Sequence, residues 1–247
     1  MGFAWTTDDR RQGAKTREHR AGIEKHAPTG VNSVVVMNTT DTITITSIDS
    51  ITLDVPDREA ASRFYADAFG LTSEVRTRAA DAPTSGFRGF TVSLIVSQPS
   101  TVSALFDSAV AAGATVLKPV EKSLWGVGCV VQAPDGAIWK VATSAKKDTG
   151  PATRAIDKIV VLLGAEDVPA SKRFYSDHGL AVGKSFGSYV DFATGSSPIG
   201  LGLYKRRALA KDAGVPPEGT GSHRIQINSD GGSFTDPDGF EWGTASA

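Results

Sequence analysis

The chain has 247 residues, 40% of them hydrophobic, with 26 Lys and Arg against 27 Asp and Glu. That is enough apolar material for a sizeable core, so wholesale disorder is excluded, and the length suits one large domain or two small ones. The net charge of −1 offers no basic excess for nucleic acid or an anionic membrane. The single Cys129 excludes an internal disulfide and a multi-cysteine metal site, and fits a reducing cytoplasm.

Residues 1–36 are rich in charge from Asp8 to Lys25, and no apolar face can be drawn on them. Residues 1–44 are expected to be a disordered N-terminal extension. Met37, directly before strand-like sequence, is the expected true start. No secretory h-region is present, and no apolar run approaches the roughly 20 residues of a membrane span. Ile51, Leu53 and Val55 then alternate with Ser50, Thr52 and Asp54, the pattern of a half-buried strand. Pro56 and Asp57 open a helix on which Ala60, Phe64 and Ala68 share a face, and Gly70 is placed to stop it as a left-handed cap. A β stretch over 74–78 and a strand over 90–96 follow. Pro99 and Ser100 begin a second helix with Val102, Leu105, Phe106, Ala109 and Val110 on one face. Strands are expected over 115–117, 128–131 and 138–142, with Pro134-Asp-Gly136 as a tight turn.

The chain then repeats itself. Ser62-Arg-Phe-Tyr-Ala-Asp67 recurs as Lys172-Arg-Phe-Tyr-Ser-Asp177, each followed by Gly-Leu. Pro134-Asp-Gly136 recurs as Pro237-Asp-Gly239, with Trp139 and Trp242 at the same offset. Charge, Gly and Pro around Lys146 to Pro151 mark a linker between the copies, dividing the chain into domains 45–147 and 148–247. Four β-α-β modules are expected. The last is incomplete, because the few residues between Asn228 and Phe234 cannot hold a helix.

Over residues 45–247, these motifs in this order resemble the glyoxalase/bleomycin-resistance/dioxygenase superfamily, the vicinal oxygen chelate (VOC) proteins. The resemblance implies an α+β fold of tandem paired βαβββ modules. It does not choose a reaction, because the superfamily holds metal-dependent isomerases, lyases, dioxygenases and epimerases beside metal-free proteins that sequester drugs. In its metal-dependent members the ligands are His, Gln or Glu on the first strands of modules and Glu on the last strands. Here those positions hold Ser50, Val92 or Ser93, Lys158 and His223 on first strands. On last strands they hold Lys140, Gly243, and Tyr204 or Gly202. One His does not hold a catalytic divalent ion, and an ammonium repels one. No metal cofactor is therefore expected; His223 and Glu241 are the ligands if there is one.

The expected function is binding of a small aromatic or anionic molecule in a cup-shaped pocket, as in bleomycin-resistance-type sequestration. The alternative is a lyase, isomerase or dioxygenase-type enzyme with His223 as base or ligand. Lys158, His223, Tyr204 and Tyr189 are assigned to one cup, and Ser50, Lys140 and Trp125 to the other. Each has a bland reading beside the functional one: the lysines pair with local acids, the tyrosines and Trp125 pack into core, and His223 is a wall residue. Trp139 and Trp242 fall on the opposite parity and are assigned to core. Cys129 is read as an inert buried thiol, and Asp135 and Asp238 as turn residues. The expected partner is a small molecule, with no nucleic acid and no membrane. The expected assembly is a monomer with an internal pseudo-dimer, or a homodimer.

Overall fold

A computed structural model describes residues 43–244. The expectations about residues 1–36 and Met37 lie outside the described residues.

The first half runs β1 (Ile48–Val55), α1 (Arg58–Phe69), β2 (Val75–Ala79), β3 (Ser85–Gly86), β4 (Phe90–Ile95), α2 (Pro99–Ala111), β5 (Thr115–Ser123), β6 (Gly126–Gln132) and β7 (Ile138–Thr143). The second runs β8 (Lys158–Ala165), α3 (Val168–Asp177), β9 (Ala181–Phe186), β10 (Tyr189–Ala193), β11 (Ile199–Lys205), α4 (Arg206–Ala213), β12 (Gly219–Thr220), β13 (Ile225–Ser229), β14 (Phe234–Thr235) and β15 (Glu241–Gly243). The sequence expectation of an α+β fold is met. Asp57 caps α1 by accepting from the Ala60 N–H at 2.9 Å, and Gly70 ends it in the left-handed region at φ 72°.

The modules pair crosswise. An eight-stranded sheet has the order β5-β6-β7-β4-β8-β11-β10-β9, and a five-stranded sheet the order β14-β15-β13-β1-β2. In every module the first strand lies parallel to the last: β4 with β7, β8 with β11, β1 with β2 and β13 with β15. First strands then meet antiparallel across the halves, β4 with β8 and β1 with β13. The registers match apolar to apolar, as in Ile51 opposite Ile227 and Leu94 opposite Ile159. Cross-strand pairing of this kind fixes register. The second and third modules thus build the eight-stranded sheet, and the first and fourth build the other.

The fourth module lacks its helix, as the sequence implied. The first module is also abbreviated: β2 follows α1 directly and takes the last-strand place beside β1. The helix α3 packs against the last strands of this shortened module. Phe174 packs on Phe234 with ring centroids 5.8 Å apart, and Tyr175 packs on Trp242 at 5.5 Å. Tyr175 Oη also accepts from Trp242 Nε1 at 3.2 Å. In the first half, Tyr65 and Phe69 of α1 pack on Trp139 in the same way. Both tryptophans are buried, as their parity predicted. The linker between the halves is tied down. Gln98, itself buried, accepts from the Thr149 and Gly150 N–H groups and donates to the Pro151 carbonyl at 2.7 Å.

Candidate functional site

Each sheet has one face in the common core with α1, α2 and α3 and one face turned away from it. On the second face, first-strand and last-strand side chains stand in one row.

On the eight-stranded sheet that face carries Val130, Lys140, Ser93, Val160 and Gly200 in register, with Tyr189 opposite Tyr204 beyond them. It is not open. Leu209, Ala210 and Ala213 of α4 pack onto Val130, Val160, Leu162, Tyr189 and Tyr204 in a second apolar cluster. Lys140 Nζ donates to Asp212 Oδ2 at 2.7 Å, and Lys118 Nζ donates to the Asp212 carbonyl at 2.6 Å near the end of α4. The cup expected to take a ligand here is filled by the chain's own helix.

This places several predicted residues. Lys140 is ion-paired and holds α4. Tyr204 and Tyr189 are buried, their rings edge-to-face at 6.0 Å, and burial raises both phenols. Lys158 stands exposed at the start of β8; its stem crosses Gly200, where an added Cβ would lie 2.8 Å from Lys158 Cε. Burial raises the Asp191 carboxyl, while Lys158 and Lys184 nearby oppose the shift. Trp125 is at the exposed tip of the β5–β6 hairpin. Cys129 is buried, and burial pushes its thiol up to about 12. Asp135 accepts from Tyr65 Oη and the Ala137 N–H, and Asp238 from the Glu166 N–H and Ser171 Oγ, so both are turn and tie residues.

The five-stranded sheet differs. Its outward face carries Arg76, Thr52, Gln226 and Glu241 in one row across four strands. Asp54 and Arg78 lie beside that row, and Ser50, Asn228 and Gly243 form the next. One hydrogen-bond chain joins them. Asn228 Nδ2 donates to Ser50 Oγ at 2.9 Å and Thr52 Oγ1 at 3.0 Å. Gln226 Nε2 donates to Asn228 Oδ1 at 2.8 Å, and Arg78 donates to Gln226 Oε1 at 3.1 Å. The same guanidinium grips Asp54 in two-pronged fashion, Nε to Oδ1 at 2.7 Å and a terminal nitrogen to Oδ2 at 3.2 Å. Glu241 Oε2 is 3.8 Å away. The Asp54 hydrogen bond raises the already high pKa of Arg78, so the charge is permanent. A cavity of about 620 Å³ opens over the edge strand β2; Thr52, Gln226, Arg76 and Arg78 of this face line one side of it, and Arg58, Ser62, Leu71, Val75 and Thr77 line the side toward α1.

The expected site residues therefore separate. Ser50 belongs to this face, and so does Glu241. Lys158 and Tyr204 belong to the other sheet, so the expected meeting of Lys158, Tyr204 and His223 in one cup does not occur; nor do Ser50, Lys140 and Trp125 share one. The reason is the crosswise pairing of first strands. His223 is not on β13. It sits in a single 3-10 turn over Ser222–Arg224, with its Nε2 buried and without a hydrogen-bond partner. The module-four positions that face outward are Gln226 and Asn228. The sequence held the signal: Ile225 and Ile227 face the core, so Gln226 and Asn228 must face away. The same parity marks Asp54 beside Leu53 and Val55, and Arg78 two residues from Arg76.

These residues do not fit a divalent metal. The carboxylates Asp54 and Glu241 and the amide oxygen of Gln226 surround a guanidinium, so a cation already stands among them. At Gly243, a last-strand position, an added Cβ would come 2.8 Å from Gln226 Nε2. Among the described residues no three His, Cys, Asp or Glu side chains are grouped to hold a metal ion.

The paired modules, with first and last strands parallel in each, decide the fold. The chain has the fold of the VOC superfamily. Glyoxalase I from Zea mays superposes with a TM-score of 0.56 at 16% identity, over 79% of this chain and 90% of that one. A Bacillus subtilis protein named as a dioxygenase candidate superposes with a TM-score of 0.51 at 12% identity, over 81% of this chain and 84% of that one. No protein-family model and no curated protein matches the sequence. None of the helices among the described residues is long and apolar enough to cross a membrane.

Proposed function

We propose that this VOC-fold protein binds a small molecule at the outward face of its five-stranded sheet, without a metal ion, and holds it rather than transforming it. One observation carries the reading. Of the two outward faces the fold provides, one is filled by α4, and the other presents a hydrogen-bonded polar row beside a cavity of about 620 Å³. Small-molecule sites are concave, of this size, and combine a largely preformed wall with a few fixed polar groups. Thr52, Gln226 and Arg78 are such groups, each locked by its neighbours before a ligand arrives. This is binding of the bleomycin-resistance kind, in which capture is the function.

The test is a small-molecule panel read by thermal shift and by NMR of the Gln226 side-chain amide. A hit should raise the melting temperature, as anything that binds only the native state must. Thr52→Trp, which fills the cavity, should abolish the shift. Added Zn²⁺, Ni²⁺, Mn²⁺ or Fe²⁺ should leave the melting temperature unchanged. Stoichiometric tight metal, or hits indifferent to Thr52→Trp, would sink the proposal.

A further inference from the structure

We propose that Arg78 is an anion-recognising cation built into the outward face of the five-stranded sheet, so that the molecule bound there carries a carboxylate or a similar planar oxyanion. This inference rests on the binding reading above and adds the chemical class of the ligand.

A guanidinium has five N–H donors in a rigid plane. In Arg78 three of them are committed, two to the Asp54 carboxylate and one to Gln226 Oε1. Two remain. The nearest further carboxylate oxygen, on Glu241, is 3.8 Å away and outside hydrogen-bond reach. Asp54 is buried and clamps the fork from one side, so its orientation at the cavity wall is set in advance. A long side chain held in this way gives up little further freedom on binding a ligand. The Arg78 side chain is still 47% exposed, so its open edge can be reached.

The surroundings favour negative charge. Arg58 and Arg76 line the same cavity, and none of its lining side chains is acidic. Asp54 and Glu241 stand behind and beside Arg78. Glu241, 44% exposed, is screened by solvent. Thr52 and Gln226 offer hydrogen bonds to the rest of a planar molecule. A carboxylate would take the two open N–H groups, with Asp54 as the counter-charge on the far side of the same guanidinium.

The experiment compares acids with their uncharged amides of the same shape: benzoate with benzamide, phenylacetate with phenylacetamide, and 2-naphthoate with 2-naphthamide. Affinities are read by NMR titration of the full chain at low salt. At least one acid should bind roughly tenfold tighter than its amide, the scale of a hydrogen bond to a charged group. That preference should disappear in Arg78→Met and persist in part in Arg78→Lys, which keeps the charge but loses the fork. Because Arg78→Met strands the Asp54 carboxylate, the same measurement is made in Asp54→Asn/Arg78→Met, which removes both charges together. Equal affinity for acid and amide, or a preference that survives Arg78→Met, overturns the role of Arg78 but leaves small-molecule binding at this face standing. No response of Thr52 and Gln226 resonances to any of the six compounds overturns both.

Discussion

The two sheets are made from the same repeat and meet the same core, yet they treat their outward faces in opposite ways. The eight-stranded sheet is built from two complete modules, and its outward face is apolar enough to require a cover: Val130, Val160, Leu162 and the tyrosine pair lie under α4. The five-stranded sheet is built from two abbreviated modules, and its outward face is polar. Its side chains satisfy one another, from Ser50 through Asn228 and Gln226 to Arg78 and Asp54. An apolar concavity left open costs free energy in proportion to its area, whereas a satisfied polar face can meet water without such a penalty. Completeness of a module therefore does not decide which outward face stays open. The shortened pair keeps the open polar face.

The largest test of that contrast is to trim one residue on each face. Leu209, fully buried in α4, should cost about 2–5 kcal/mol as Leu209→Ala, because a cavity is left in a packed contact. Thr52→Ala should cost under about 1 kcal/mol, since Asn228 keeps its bond to Ser50. Urea unfolding of the two variants gives the comparison directly. Equal costs would mean that α4 does not seal the eight-stranded sheet.

The second test separates the two halves by pH. Asp236 accepts from Tyr175 Oη at 2.6 Å, and the first half has Ala133 at the matching place before its Pro-Asp-Gly turn. Burial lifts the Asp236 carboxyl to about 6, against the hydrogen bonds from Tyr175 and the Phe240 N–H that pull it down. The folded value lies above the unfolded one, near 4. The protonated form thus favours the fold: this contribution is complete below about pH 4 and is lost as pH rises through 6. Two pKa steps at 1.36 kcal/mol each give a loss of about 3 kcal/mol. Wild-type stability minus that of Asp236→Asn, followed from pH 4 to pH 8, should fall by that order. A flat difference would show that Asp236 is not desolvated.

The third concerns the tie that holds α4. Asp212→Leu should leave the Lys140 ammonium without its partner and cost about 1.5–3 kcal/mol, the range for a hydrogen bond to a charged group. The double change Lys140→Met/Asp212→Leu should recover most of that loss, because removing both charges leaves neither stranded. A double variant as weak as the single one would refute the pairing as the cause.

The fold was legible because it repeats. Two copies each of Phe-Tyr, Gly-Leu and Pro-Asp-Gly fix where helices stop and turns fall, and their tyrosine–tryptophan contacts recur in both halves. The pairing of modules was not legible. Sequence order suggests that neighbours in the chain share a sheet, whereas the partner of β1 is decided by how Ile51 and Leu53 match Ile227 and Ile225 across the whole chain. That choice moved Lys140 and Lys158 away from Ser50 and Glu241. His223 drew attention as a residue type, although the parity of Ile225 and Ile227 already gave the outward positions to Gln226 and Asn228. The role of α4 could not be read either: Arg206–Ala213 is an eight-residue helix of small and charged residues with Leu209 as its one large apolar side chain, and only the apolar floor beneath it explains its place.

The smallest expected effect is at Trp125, and its neighbour shows why. Leu124 and Trp125 form the loop of the β5–β6 hairpin and are 76% and 45% exposed. Local bonds hold the tip: the Trp125 N–H donates to Ser123 Oγ at 3.1 Å, and that hydroxyl donates to the Gly126 carbonyl at 3.3 Å. Neither bond uses the indole. Trp125→Ala should therefore change stability by no more than about 0.5 kcal/mol, the usual span for surface positions. It should leave ligand affinity at the five-stranded face unchanged, because Trp125 belongs to the other sheet. Gly126, one residue on, is different. Its φ of 134° favours glycine, and a side chain there would run into the Thr143 carbonyl of β7. Gly126→Ala should cost about 1–3 kcal/mol. If Trp125→Ala instead weakened ligand binding while Gly126→Ala was silent, the assignment of the site to the five-stranded sheet would be wrong.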